Sequence, residues 1–393
     1  MNNRYIGLLT SSHLITDIYQ GALPAMLPFL ISDRHLSYSA AAFLIFAANI
    51  SSSIVQPIFG FYSDKISAPW MLPLGVLLAG LGIGAAGVTS NYWLMFIAVT
   101  LSGVGIASFH PEGARLANSF AGKNKATGVS TFAAGGNIGF ALGPIITTAI
   151  LVIFGLKGTM FLVIPAAIMA AILLSQLSNF SKGLKASNEV TVNLKSEAVE
   201  DEWNPFFRLT ATLVCRAIVF FGLNTFLPLY WIHVLNQSKQ AGSAALSILI
   251  FVGAMGTLVA GRVSDRIGHR KVILAGFAAL IPLMFIFINV QNVKIATIML
   301  IPMGLALYAP YSPMVVLGQK YLPKHMGLAS GVTLGLAVTM GGVVAPLLGW
   351  ISDHYGIHAA ISCLTVLPII AVLLALVLPQ PKVDRVLKTE TSN

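Results

Sequence analysis

Apolar runs of helix length follow one another along almost the whole chain. A helix needs about 20 apolar residues to cross the hydrocarbon core of a bilayer. Twelve such runs lie near residues 5–31, 39–62, 70–88, 92–112, 127–154, 159–179, 207–233, 242–262, 271–290, 295–318, 327–350 and 357–379. Charged residues make up 9% of the sequence, which is too little to cover a water-soluble protein of this size. The chain is therefore predicted to fold within a lipid bilayer.

The pattern inside these runs indicates helices. The runs are punctuated by glycine and do not alternate with a period of two, as the strands of a membrane barrel would. The first run begins within a few residues of Met1 and has no small-residue cleavage site, so we expect it to be retained as a helix. We predict an all-α membrane protein with twelve transmembrane helices in two pseudo-symmetric six-helix halves.

A short pattern occurs twice, first as Gly60-Phe-Tyr-Ser-Asp64-Lys65 and again, 201 residues later, as Gly261-Arg-Val-Ser-Asp265-Arg266. Three further pairs keep nearly the same offset: Leu27-Pro28-Phe29 with Leu227-Pro228-Leu229, His110-Pro111 with Ser312-Pro313, and Gly143-Pro144 with Ala345-Pro346. Landmarks that keep their order and spacing indicate an internal repeat.

The longest polar segment, 181–205, lies between the sixth and seventh runs. Its mixed charge and length are typical of a linker between two halves of a transporter. We therefore expect an N-terminal half at 1–180, a cytoplasmic linker at 181–205, a C-terminal half at 206–380 and a cytoplasmic tail at 381–393.

Lysine and arginine are distributed unequally between the two sides of the predicted bundle. Of the 23 Lys and Arg residues, the loops of one side contain Arg34, Lys157, Lys239 and Lys294. Cytoplasmic loops retain positive residues, so the opposite side, with both termini, is predicted to be cytoplasmic. The net charge of +10 is thus spread over many short loops, and nucleic-acid binding is not predicted.

No pattern for enzyme chemistry is present in the sequence. It has no G-x-x-x-x-G-K-[ST] phosphate loop, no G-x-S-x-G nucleophile turn and no His/Cys group with metal-ligand spacing. Cys215 and Cys363 lie far apart within apolar runs, which argues against a disulfide framework. We predict that the chain is not an enzyme and holds no cofactor and no metal. Without an ATP site, transport would draw on an ion gradient.

The loop after the eighth run, Gly261-Arg-Val-Ser-Asp265-Arg266-Ile-Gly268-His-Arg270-Lys271, resembles the signature of major facilitator superfamily transporters. This resemblance implies two six-helix halves around a central cavity, and a gating role for the charged loop residues Asp64, Lys65, Asp265, Arg266 and Arg270. The first copy departs from the signature, because Ile-Ser-Ala-Pro-Trp follows Lys65.

A narrower resemblance is to the fosmidomycin resistance proteins. It rests on Ser12-His13-Leu14-Ile15-Thr16-Asp17, Gln56-Pro57-Ile58-Phe59-Gly60, Phe109-His110-Pro111-Glu112 and Gly135-Gly136-Asn137-Ile138-Gly139. The family implies proton-driven drug export across the bacterial inner membrane. Gly139, Gly143 and Pro144 also resemble the antiporter motif of drug:proton exchangers, although close helix packing explains the same residues. Val99 stands where many such exporters have an arginine.

Few ionisable residues are predicted to lie in the membrane interior, where a charge costs about 2.5–3.5 kcal/mol. They are His13, Asp17, His110, Glu112 and Arg216. We predict proton-coupling roles for Asp17, Glu112, His110 and His13. Glu112, placed with His110 near the inner end of the fourth span, has an alternative role as an ion-pair partner of Arg115.

Asp17 and Arg216 are predicted near mid-depth in the first and seventh spans, which both line the central cavity if the superfamily resemblance holds. They could form a permanent buried ion pair. Alternatively, Arg216 receives an anionic group of the substrate through its bidentate fork while Asp17 takes up a proton or orients the substrate. Further predicted substrate contacts are Asn137, Tyr308 and Tyr311.

Together these features predict a monomeric, proton-coupled secondary transporter of the bacterial inner membrane. Its partners are expected to be a small-molecule substrate, protons and the lipid bilayer. The favoured function is drug or metabolite:proton antiport by alternating access, with export of small compounds that include anionic, fosmidomycin-like ones. The alternatives are a proton-coupled importer of a metabolite and a membrane receptor that transports nothing.

Overall fold

A computed structural model describes residues 2–65, 68–122, 125–181, 200–325, 328–329, 332–333 and 337–381. Side chains at 54, 57, 60–65, 125–126 and 337–338 lie outside this description. The predicted gating side chains Asp64 and Lys65 and most of the predicted linker and tail are therefore not part of the account below. Within the described residues the chain is helical and contains no strand, as the sequence predicts.

The helices before the predicted linker begin and end close to the predicted runs. They are α1 (Asn3–Arg34), α2 (Tyr38–Lys65), α3 (Met71–Val88), α4 (Tyr92–Phe120), α5 (Lys125–Phe154) and, after a 3₁₀ segment at Leu156–Leu162, α6 (Val163–Ser175). A short helical segment at 177–181 follows.

The helices after the predicted linker are more often interrupted. They are α7 (Trp203–His233), α8 (Lys239–Ile267), α9 (His269–Asn289), α10 (Val293–Tyr308), α11 (Tyr311–Tyr321), α12 (Ala337–Val343), α13 (Ala345–Tyr355), α14 (Ile357–Leu364) and α15 (Val366–Leu376). A 3₁₀ turn at Pro323–His325 follows α11. In the described part of the chain, ten helical segments are long and apolar enough to cross a membrane, and Tyr38–Ser53 is a shorter apolar helix.

Two asparagines show the internal repeat in the structure. The side chain of Asn91 accepts hydrogen bonds from the backbone N–H groups of Trp93 and Leu94 at the start of α4. Asn292, 201 residues later, does the same for Lys294 and Ile295 at the start of α10. An N-cap of this kind satisfies N–H groups that have no partner within the helix.

The chain forms two compact units. The first contains the helices before the predicted linker together with 237–247, and the second contains 200–236 with the described residues from 248 onwards. In the first unit α1 packs along α5, and α2 and α3 pack against α4. In the second unit α7 packs against α12 and α15. The predicted boundaries of the two halves stay a prediction.

Glycines bring α1 and α5 into close contact. A Cβ atom built on Gly139 would lie 2.0 Å from the carbonyl oxygen of Leu14, and one on Gly143 would lie 2.6 Å from that of Ile18. Any side chain at these positions would force the backbones apart. The packing explanation of Gly139, Gly143 and Pro144 is therefore supported, while their role in antiport stays a prediction.

The predicted end of the fourth span is wrong. The helix continues to Phe120 instead of ending near residue 112, so His110 and Glu112 lie well inside it. The polar residues after Pro111 suggested an end, but the buried side chains of Leu116 and Ala117 show that packing maintains the helix for two further turns.

Candidate functional site

The first unit contains a buried cluster of one carboxylate and two imidazoles. Asp17 lies in the middle of α1 and is 7% exposed. Its Oδ2 is 3.2 Å from Nε2 of His13, one turn earlier on the same helix. Its Oδ1 is 3.2 Å from Nε2 of His110 on α4. The cluster thus joins two helices around one acid.

Backbone carbonyls determine which nitrogen of each ring faces the acid. Nδ1 of His13 lies 2.8 Å from the carbonyl oxygen of Phe132, and Nδ1 of His110 lies 2.8 Å from that of Ile106. A carbonyl oxygen can only accept, so Nδ1 carries the hydrogen in both rings. A neutral ring then presents only a lone pair at Nε2.

This arrangement makes the cluster a proton acceptor. An ionised Asp17 also presents only lone pairs, so each contact between the acid and a ring becomes a hydrogen bond only when a proton lies in it. One added proton makes one such bond and brings the cluster charge to zero. A second proton makes the other bond and brings the charge to +1, whether it is held by a ring or by the carboxylate.

The two contacts have the same length, 3.2 Å between Nε2 of the ring and an oxygen of the acid. Oδ1 of Asp17, which faces His110, is buried and has no hydrogen-bond partner among the described residues. A buried polar atom without a bond is costly. A proton placed between Oδ1 and His110 would satisfy this buried oxygen.

Helix α5 forms the third wall of the cluster. The ring of Phe132 stacks on that of His13, with centroids 4.1 Å apart. A Cβ atom on Gly136 would lie 2.4 Å from Nε2 of His13 and 2.5 Å from Oδ2 of Asp17. Gly136 therefore leaves the room that the acid and the ring occupy, a role that its sequence context alone did not reveal.

Glu112 has a separate partner. Its side chain is fully buried and its two oxygens accept hydrogen bonds from Nε and Nη2 of Arg115 at 3.0 and 2.9 Å. A bidentate pair of this kind stabilises the ionised acid. The structure supports the ion-pair explanation of Glu112, and its role in proton coupling stays a prediction.

Arg216 is the buried cation of the second unit. It lies on α7, is 5% exposed, and its Nε donates to the carbonyl oxygen of Leu307 at 2.9 Å. The carbonyl belongs to the last turn of α10, before the break at Ala309 and Pro310. Pro310 has no backbone N–H group to donate to the preceding turn of the helix. Carbonyl oxygens near the break can therefore accept hydrogen bonds from groups outside the helix.

Aromatic rings surround the guanidinium. Its central carbon lies 4.5 Å from the ring centroid of Tyr311, 5.4 Å from that of Phe220 and 5.5 Å from that of Tyr308. Among the described residues of this unit, no carboxylate forms a salt bridge with Arg216. Arg216, Tyr308 and Tyr311, which were all predicted to contact the substrate, therefore lie together. No described acid of this unit binds the terminal nitrogens of the guanidinium.

Asn137 and Asp17 are the remaining predicted substrate contacts. Asn137 is exposed on α5 and is not part of the acid–imidazole cluster. Asp17 and Arg216 belong to different units, so their pairing stays a prediction. Within its own unit, Asp17 already has the two histidines as partners.

Of the predicted gating residues, Arg270 has the best-defined contact. Its Nη2 donates to the carbonyl oxygen of Leu376 at the end of α15, within the second unit. Asp265 and Arg266 are exposed at the end of α8. Their action as a gate stays a prediction.

Side chains able to ligate a metal also meet at Asp17. In the described part of the chain, His13, Asp17 and His110 form the group whose ligand atoms all lie within 4.8 Å of one another. The same nitrogen and oxygen atoms can bind either protons or a metal ion. The predicted absence of a metal stays a prediction.

An all-helical membrane bundle with buried ionisable groups in each unit is the structure of a multi-pass transporter. Residues 9–346 match the Major Facilitator Superfamily, and the chain belongs to this family. It is a transporter of small molecules and not an enzyme.

Two curated relatives match over nearly the whole chain. The fosmidomycin resistance protein of Escherichia coli K12 is 27% identical over 377 residues, which cover 94% of this chain and 91% of that protein. The uncharacterised MFS-type transporter YfnC of Bacillus subtilis 168 is 30% identical over 378 residues, 93% of this chain and 90% of that protein. The predicted resemblance is thus confirmed.

Solved structures show the same fold. A bacterial homolog of the human lysosomal transporter Spinster, in an inward-facing and occupied conformation, superposes with a TM-score of 0.81. The likeness covers 97% of both chains at 13% sequence identity. The predicted fold, twelve helices in two pseudo-symmetric halves, is confirmed.

Proposed function

We propose that this transporter is a proton-coupled antiporter that exports small anionic compounds across the bacterial inner membrane by alternating access. The cluster of His13, Asp17 and His110 is the observation that carries the proposal, because it offers a buried place where protons bind and leave. The chain acts as a monomer with both termini in the cytoplasm.

The proton and the substrate would use different groups. The acid–imidazole cluster gains one positive charge with each proton. Arg216 has committed Nε to Leu307, which leaves its terminal nitrogens for the two oxygens of a carboxylate or phosphonate. The aromatic rings around Arg216 hold the guanidinium in place. In this proposal the oxyanion binds in one unit and the proton in the other.

The proton gradient is large enough for this task. One proton moving through about 100 mV releases about 2.3 kcal/mol, and one pH unit adds about 1.4 kcal/mol. Together they support roughly a 500-fold gradient of a neutral solute. An exported anion also moves with a negative-inside potential, so one proton per anion suffices.

The choice of substrate class is supported by the name of the Escherichia coli relative, which refers to fosmidomycin, a phosphonate. Arg216 is suited to that group by its charge and by its fork. We therefore propose small phosphonates and carboxylates as the substrates to be tested first.

The decisive experiment measures proton flux. The protein is reconstituted in liposomes with an enclosed pH dye, fosmidomycin is added, and wild type is compared with Asp17→Asn. The matched control is Asp33→Asn, which removes an exposed carboxylate at the end of the same helix. We expect proton movement opposite to the substrate in wild type and Asp33→Asn, and its loss in Asp17→Asn.

The other results lead to different conclusions. Proton movement in the same direction as the substrate would make the protein an importer by symport, the second candidate. An unchanged signal in Asp17→Asn would remove the cluster from the coupling path. If added chelator abolished the wild-type signal, the cluster would act through a bound metal. No flux with any anion tried would point to cationic or lipophilic substrates and leave Arg216 as a structural partner, whereas no flux of any solute would favour a receptor.

A further inference from the structure

The second unit contains a basic cavity that has no part in the transport site proposed above. It has a volume of about 660 Å³ and lies where the start of α9 meets the ends of α8, α11 and α15. Four basic side chains line it, those of Arg266, Arg270, Lys271 and Lys320, against the single carboxylate of Asp265. The distribution of Lys and Arg predicts that this end of the unit faces the cytoplasm.

The start of α9 adds to the positive character of the cavity. Gly268, the N-cap, has φ 98° and no side chain that could cap the helix, and the first turn contains no acidic residue. The N–H groups of the first turn of a 21-residue helix carry a partial positive charge and bind anions readily. His269 and Arg270, the first residues of α9, line the cavity themselves.

Arg270 is held at the wall of the cavity. One terminal nitrogen donates to the carbonyl oxygen of Leu376, which fixes the side chain against the end of α15. Arg270 lines the cavity, and a guanidinium held in one orientation is suited to binding an oxyanion.

We propose that this cavity binds a phosphate group, carried by an anionic lipid headgroup or by a small soluble phosphate compound. Its volume falls in the range of small-molecule sites, about 300–1,000 Å³. Basic pockets between membrane helices on the cytoplasmic side bind such groups. The excess of basic over acidic side chains selects a phosphate over a cation or a neutral headgroup.

The test compares binding of two lipids and one soluble anion by native mass spectrometry of the full-length protein. The lipids are phosphatidylglycerol and the zwitterionic phosphatidylethanolamine, and inorganic phosphate is the soluble competitor. The variant is Lys271→Gln with Lys320→Gln. The control is Lys294→Gln, which removes an exposed positive charge of the same unit away from the cavity.

We expect tighter binding of phosphatidylglycerol than of phosphatidylethanolamine, and a loss of about 30-fold in the double variant, since each basic residue near the surface contributes about fivefold. Lys294→Gln should bind as wild type. If millimolar phosphate displaces the lipid, the site is one for soluble phosphates; if it does not, the lipid is the ligand. Equal binding of inorganic phosphate and of both lipids by wild type and the double variant would overturn the proposal.

Discussion

At the scale of single residues, His110 has a role that can be separated from that of His13. His110 reaches Asp17 from α4, whereas His13 lies on the same helix as the acid and stacks on Phe132. We expect His110→Gln to reduce proton-coupled flux by about tenfold, since a hydrogen bond to a charged group contributes about 1.5 kcal/mol. Substrate binding, measured by isothermal titration in detergent, should be unchanged.

The control for this change is His354→Gln, which replaces an exposed histidine in the second unit. A loss of substrate binding in His110→Gln would show that the ring contacts the substrate, and would argue against a role confined to proton transfer.

Arg216 offers a second test at this scale, because charge and shape can be varied separately. Arg216→Lys keeps the positive charge but loses the fork and the bond from Nε to Leu307. We expect the Kd for a phosphonate to rise about tenfold or more, and further in Arg216→Gln. Arg208→Lys, an exposed position near the start of the same helix, should bind as wild type. Equal affinities in Arg216→Lys and wild type would indicate that Arg216 only attracts by charge.

The sequence predicted these residues better than it predicted their partners. Ionisable groups in apolar runs can be recognised in the sequence as candidate functional residues, because each charge is costly in a membrane. His13 and Asp17 lie four residues apart, a spacing that places both side chains on one face of α1. No local pattern could connect Asp17 with His110, because that contact depends on how α4 packs against α1. The predicted partner Arg216 lies in the other unit.

At the scale of helices, the contact between α1 and α5 should tolerate little change. Gly139→Ala would place a methyl group 2.0 Å from the carbonyl oxygen of Leu14. We expect a destabilisation of about 1–3 kcal/mol, seen as a lower Tm in detergent. Gly7→Ala on α1 meets nothing within 4 Å and should raise stability by up to about 1 kcal/mol. Similar Tm values for the two variants would contradict the close packing.

The repeated N-caps give a second test at this scale. Asn91→Ala and Asn292→Ala should each cost about 1 kcal/mol, because each removes the acceptor for two backbone N–H groups. Asn118→Ala, at an exposed position inside α4, should cost nothing or stabilise slightly. The measurement is the Tm of each purified variant. A cost confined to one of the two caps would show that the duplicated residues no longer have equal roles.

Helix boundaries were predicted well where the polarity of the sequence changes abruptly and poorly where packing decides. The capped start of α4 falls where the apolar run begins. Its end was missed by two turns, because polar residues after Pro111 suggested an end while the buried side chains of Leu116 and Ala117 extend the packed face of the helix. The break between Tyr308 and Tyr311 interrupts a continuous apolar run, and hydrophobicity alone gives no sign of it.

At the scale of the whole molecule, a change at Asp265, near the loop between α8 and α9, can test transport and substrate binding separately. Alternating access requires each conformation to be stable enough to be populated and not so stable that it persists. If Asp265 stabilises the inward-closed state, Asp265→Ala should lower the transport rate by several-fold while the Kd for the substrate stays within about twofold. Rates would be measured in liposomes and affinities in detergent, with Asp33→Ala as the control. Loss of affinity in Asp265→Ala would mean that this loop shapes the binding site, and equal transport in both variants would exclude a latch at Asp265.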